Sequence, residues 1–380
     1  MNQNRERDYR LDFCRGIALI VIFVDHVPGN PLSAWTLRNF SFCDAAEIFV
    51  LISGMSSYLA YGSRLSKAGF VACLKAAARN CLRIYLAHIF LIGLIAVMFV
   101  WISARFTGAN YIDALKLNWM VQDPWSAIGA TLTLSYLPRL MDILPMYVVM
   151  MAAAPILILI IQRDYRIALA ISLAVYAIAW KFGWNLPADR TGREWYFNPF
   201  AWQLLYTIGL VLCHLSRTAP DKVPWRRSWL LTSIVFLLVT FAITVPLSEL
   251  WMTPIAPFSY VWPAEKTYLA PIRIINVLAL LYVFAYYVSP QAAWLKKGVA
   301  AMCISCGRHS LPIYGTGLVL SCLGYVITQE SAAKDFANFA VNAAGIAILF
   351  ATALVLDKRE GFRLPSAPAA TMQRPGRAAA

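Results

Sequence analysis

Residues 83–103 read RIYLAHIFLIGLIAVMFVWIS. Beyond His88 the run has no charged side chain, and about 20 apolar residues at 1.5 Å rise each cover the roughly 30 Å hydrocarbon core of a bilayer. In lipid every backbone amide must find its partner inside the segment, so this run is expected to form a transmembrane helix. Carried outward in both directions, the same rule predicts spans near 12–28, 44–62, 83–103, 142–162, 166–186, 200–216, 228–247, 271–290, 306–328 and 336–356. The fold class is then an all-α polytopic membrane protein of about ten transmembrane helices. Composition agrees: 60% of residues are hydrophobic, 14% are charged and the mean hydropathy is +0.61, which excludes an ordinary soluble domain.

The net charge of +14 comes from short basic clusters between apolar runs. That pattern excludes nucleic acid and points to lipid headgroups and an anionic ligand. With the N-terminus inside, cytoplasmic segments hold 23 of the 33 Lys and Arg, a bias that puts both termini in the cytoplasm. Residues 104–141 form the weakest stretch, with Ala127 to Leu137 read as an external or re-entrant piece rather than an eleventh span. Residues 1–356 make a single transmembrane domain, and 357–380, rich in Ala, Pro and Arg, a disordered cytoplasmic tail. The first apolar run carries Arg15, Asp25 and His26 and lacks an A-x-A site, so no cleavable signal peptide is expected. The eight cysteines fall mostly in or beside apolar segments as small buried hydrophobes, with no disulfide framework. Cys303 and Cys306 are read as helix packing, and no metal site is expected.

An ionisable group inside the membrane is costly unless paired or facing a cavity, which makes it a functional candidate. In RLDFCRGIALIVIFVDHVPGNP (10–31), Arg15 and His26 fall on one helix face with a rise of roughly 16 Å between them, and Asp25 lies ~100° around from His26. In NFSFCDAAEIFVLISGMSS (39–57), Asp44 and Glu47 share a face; capping explains Asp44 well and Glu47 less well. Lys75, Arg79 and Arg83 form one basic stripe that suits either phosphate oxygens or headgroup anchoring. In CGRHSLPIYGTG (306–317), Arg308, His309 and Ser310 precede Pro312 as a capped, kinked helix start, and Arg308 is counted with the candidate anion binders.

As a set these strings, with TLRNFSFCDAAEIFVLISG, RIYLAH, WYFNPFAWQLLYTIG, EKTYLAPIRI and GRHSLPIY, resemble the OpgC family over residues 8–325. The resemblance implies succinylation of osmoregulated periplasmic glucans at the bacterial inner membrane. The family is similar to the wider type 3 membrane acyltransferases, whose signature of a basic residue, ten positions and a His is met by Arg15 and His26. It implies His26 as the essential catalytic residue and Arg15 as its basic partner, with Arg79 and Arg83 at the acyl donor. The wider group typically separates its two arginines by two residues, whereas three lie between them here.

In the mechanism this suggests, cytoplasmic acyl-CoA, succinyl-CoA above all, is the donor substrate and no cofactor is permanently bound. His26 takes a proton from a glucan hydroxyl or forms an acyl-His, and Asp25, Asp44 or Glu47 assist it, Asp44 or Glu47 by orienting the ring. Expected partners are acyl-CoA, periplasmic glucan and membrane lipids, with a homodimer left open. A proton-coupled transporter and a non-catalytic scaffold of glucan synthesis are the alternatives.

Overall fold

The computed structural model describes residues 7–27, 29–220, 225–244 and 265–362. Among these residues the regular structure is helical, β-structure being confined to one isolated bridge between Pro187 and Glu194. Asp8 opens α1 (Tyr9–His26) by accepting from the Arg10 amide. Asp44 opens α2 (Ala45–Ser57) in a reciprocal box, its carboxylate taking the Ala46 amide while Glu47 takes the Asp44 amide. A π-helical turn, Tyr58–Gly62, joins α2 to α3 (Ser63–Ser103), which is kinked at Gly69, where φ is +79°. Only glycine adopts that backbone at no steric cost.

Three short helices follow, α4 (Tyr111–Ala114), α5 (Asn118–Gln122) and α6 (Pro124–Leu132), so the stretch in which the sequence carries no full span is built of single turns and one nine-residue helix. Next come α7 (Ile143–Phe182), interrupted at Asp164 where φ is −153° and ψ 111°, and α8 (Pro199–Thr218), capped by Asn198. The rest are α9 (Arg227–Thr244), α10 (Pro271–Tyr287), α11 (Gly298–Arg308), α12 (Ser310–Glu330) and α13 (Lys334–Arg359). The kinked helix start expected near Pro312 is present as the break at His309 between α11 and α12. Asp357 to Arg359, placed in the tail by the sequence, complete α13, and residues 363–380 of that tail lie outside the described residues.

Among the described residues six helical runs are long and apolar enough to cross a membrane, including 45–103 and 143–182, the two that contain the kinks; α10 is a shorter apolar helix. Their outward faces carry Leu86, Phe90, Val97, Leu231 and Leu238, each more than half exposed, the surface of a membrane-embedded protein.

α1 lies at the centre of one half of the bundle, against α2, α11 and α12, while α8 packs on α2 and α7. Two crossings bring backbones into direct contact. A methyl added to Gly16 would lie 1.8 Å from the Cys303 carbonyl oxygen, and one on Gly307 1.8 Å from that of Asp12. Gly54 and Gly209 play the same part between α2 and α8, where a methyl added to either would lie 2.2 Å from the opposing carbonyl oxygen. Without a solvent-driven force between helices, such small-residue contact is what fixes their spacing in lipid. It also fixes where α1 carries Arg15 and His26.

Candidate active site

α1 presents its two candidate groups as the helix period requires, but each finds a partner that residue spacing does not name. Arg15 donates to the Gly307 carbonyl at 3.3 Å and to the Ser56 hydroxyl, with Asp12 at 3.8 Å. At the other end of the helix His26 Nδ1 lies 2.6 Å from the Ile22 carbonyl oxygen. A carbonyl only accepts, so Nδ1 carries the hydrogen and Nε2 keeps its lone pair. In the neutral ring this contact fixes one tautomer, with Nε2 able to take a proton or to attack an electrophile.

The carboxylates expected to orient that ring are engaged elsewhere. Glu47, with no exposed surface, accepts from Arg273 at 2.6 Å. Asp44 pairs with Lys266 and lies 3.5 Å from Arg273. These four residues close into one buried cluster that ties the start of α2 to the start of α10. Burial opposes the charge of Lys266, in the loop before α10, but Asp44 and Glu47 outweigh it and hold the ammonium above its ordinary pKa. Asp25 accepts from the Thr36 hydroxyl at 2.7 Å and lies 3.7 Å from Arg38. Orientation of His26 therefore comes from its own helix, and the carboxylates build the wall around it.

Four larger cavities follow α1, besides one of about 10 Å³ between His26 and Tyr314. Two meet at His26: one of about 370 Å³, whose lining includes Asp25, Asp44, Arg38, Arg139 and Lys266, and one of about 410 Å³ that shares Asp25, His26, Arg38 and Arg139. A third, of about 220 Å³, lies between Arg15 and Tyr314; it carries Ser53, Ser57, Asn80 and Tyr147 and shares Ile143 and Tyr314 with the His26 side. The fourth, of about 860 Å³, adjoins it through Arg15, Ser56 and Ala60 and is lined by Arg7, Arg10 and Arg217 among others. A line of adjoining cavities thus runs from an arginine-rich mouth, past Arg15, to His26.

Lys75, Arg79 and Arg83 are exposed on α3 and line none of these cavities; the helix instead turns Asn80 and Ile84 toward the middle one. Arg308 is tied to Asp357 and, at 3.3 Å, to Glu360, while His309 Nε2 lies 2.9 Å from Asp357. That cluster joins the α11–α12 break to α13 and leaves Arg308 occupied. Spacing alone missed Lys266, Arg273, Arg38, Arg139 and Arg217. A signal existed for Arg273, a cation just inside an apolar run after Pro271; for the others only the fold supplies one.

The family model described as OpgC protein matches residues 7–361, nearly the whole chain. No curated protein and no solved structure matches it.

Proposed function

The chain belongs to the OpgC family, and on that premise we propose that it is a multi-pass acyltransferase of the bacterial inner membrane. It moves an acyl group, succinyl in this reading, from cytoplasmic acyl-CoA to hydroxyls of a periplasmic glucan. Ten spans are taken in this scheme, with the two long runs divided at their kinks and α1 and the shorter α10 counted as crossings. The basic-residue bias places the Arg15 end of α1 in the cytoplasm and the His26 end outside.

One observation carries the reading: cavities adjoin along α1 from an arginine-rich mouth to His26, whose Nδ1 is taken up by the Ile22 carbonyl. A donor made in one compartment and an acceptor kept in the other require such a passage. The CoA phosphates suit Arg7, Arg10, Arg15 and Arg217. The pantetheine arm, with its amides, suits the middle cavity, where hydroxyls and Asn80 can bond it. At the far end His26 Nε2 takes the proton of a sugar hydroxyl as that oxygen attacks the thioester carbonyl. The tetrahedral intermediate then expels the CoA thiolate, which recovers the proton from the imidazolium. Exposed Lys75, Arg79 and Arg83 serve lipid headgroups in this scheme.

The test is transfer from radiolabelled succinyl-CoA to glucan by purified, monodisperse protein in detergent, where no sealed compartment exists and a transporter would be silent. His26→Gln should lose at least ~10²-fold in turnover, the scale of general-base catalysis. Since only the neutral ring can act, wild-type turnover should also fall as pH drops through the imidazole pKa. Near-wild-type turnover in His26→Gln would overturn the mechanism.

A further inference from the structure

The cations around the His26 cavities are not equivalent. Arg38 lies 3.7 Å from Asp25, Lys266 is paired with Asp44, and Arg193 bonds Asp189 at 2.9 Å. Behind them Arg273 holds Glu47. Arg139 lines both cavities that meet at His26, and among the described residues its guanidinium has no carboxylate within ion-pair distance. Asp142, three residues on, lines one of the same cavities with one oxygen unbonded, yet forms no ion pair with Arg139.

The turn that carries Arg139 is well tied. Its amide donates to the Leu115 carbonyl at 3.0 Å, and the Tyr314 hydroxyl donates to the Leu140 carbonyl at 3.3 Å. Leu140 itself is held at φ +73°, a conformation that non-glycine residues adopt at a cost and that clusters at ligand clamps. Tyr314 is also a wall shared by the middle cavity and the His26 cavity. The backbone that carries Arg139 is therefore fixed beside the cavities that meet at His26, and its exposed side chain reaches their lining.

We propose that Arg139 receives the terminal carboxylate of the acyl group being transferred, so that the site selects a dicarboxylic chain over a neutral one. This rests on the acyltransferase reading above. A guanidinium offers paired N–H donors that match the two oxygens of a carboxylate. With the carbonyl of a short acyl chain at His26, its far end reaches the neighbouring lining of the cavity. The acceptor is a neutral polymer of hydroxyls and brings no charge of its own to satisfy Arg139.

The experiment compares kcat/KM for succinyl-CoA and acetyl-CoA on a neutral glucan oligosaccharide, using the full chain purified in detergent. Wild type should prefer succinyl-CoA. In Arg139→Gln the succinyl-to-acetyl ratio should fall about 10- to 100-fold, the scale of one charge-assisted hydrogen bond, and Arg139→Lys should recover part of it. Equal losses with both donors, an unchanged ratio, or a discrimination that follows the charge placed on the acceptor instead would each overturn the proposal while leaving transfer intact. No transfer of either group by wild type would overturn the acyltransferase reading and the proposal with it.

Discussion

The two ends of α1 handle charge in opposite ways. Around Arg15 the cavity is wide, about 860 Å³, and its lining sets Arg7, Arg10, Arg15 and Arg217 against Asp8 and Asp12. Arg7 and Arg10 hold those carboxylates, Arg15 leans on Ser56 and Gly307, and Arg217 stands without an ion pair among the described residues. Around His26 most charges are matched, with Asp44, Lys266, Arg273 and Glu47 closed on one another. Burial sets the two extremes, exposed Arg217 and fully enclosed Glu47. An exposed cation can wait in water for a ligand, whereas a carboxylate as enclosed as Glu47 persists only with its counter-charge. An open excess of positive charge suits a mobile polyanion, and a closed network gives a neutral base a stiff surround.

Arg273 is where this contrast would break most visibly. Arg273→Met leaves Glu47 buried and uncompensated, a change worth about 3 to 5 kcal/mol of stability. It should lower the thermal midpoint of the detergent-purified protein, and adding Glu47→Leu should restore most of the loss because the orphaned charge goes with it. An unaltered midpoint in the single variant would mean that the cluster does not hold α2 to α10. Lys266 should keep its part across physiological pH. Its raised pKa means that its stabilisation is whole below the unfolded value of about 10.4 and is lost only as pH rises through the higher folded value.

Much of the contrast was legible beforehand, and what was not has a physical reason. Helices and the Arg15–His26 face follow from a local period, so residues 10–31 are enough to place them. The box between Asp44 and Glu47 is local too. Their cationic partners lie more than 200 residues away, Lys266 just before α10 and Arg273 in its first turn, and no short-range pattern joins them. The partner of His26 was missed for a different cause. It is a backbone carbonyl of the same helix, which every helix possesses and no sequence marks. On α3 the basic stripe was real, but one position of offset, 100° of helix, separates Arg79 and Arg83 from Asn80 and Ile84 on the cavity side.

Arg217 is the next place to sharpen the contrast, through binding rather than stability. If the wide cavity holds the donor phosphates, Arg217→Gln should raise the KM for acyl-CoA roughly tenfold, the low end for a charge-assisted hydrogen bond because the residue is exposed. The KM for glucan should not follow it. The increment should shrink in high salt, since an exposed phosphate contact is screened. A donor KM equal to wild type at low salt would leave the arginine-rich mouth without its assigned ligand.

The smallest effect is expected on α3, and it separates the two ways of reading a basic stripe. Arg79 and Arg83 carry charge at the spacing a phosphate site would use, yet both are exposed and neither lines a cavity along α1. Surface substitutions away from packed or paired features usually change stability by less than ~0.5 kcal/mol, and a lipid headgroup released by one side chain is taken up by water or by a neighbouring cation. Arg79→Gln and Arg83→Gln should therefore leave the KM for acyl-CoA within about twofold of wild type in detergent. Affinity of the purified protein for anionic-lipid nanodiscs would then weaken slightly when both are changed together. The decisive quantity is the donor KM of these variants against that of Arg217→Gln under one set of conditions. A larger rise at Arg79 or Arg83 than at Arg217 would move the phosphates out of the cavity and onto the flank of α3, and the passage along α1 would lose its donor end.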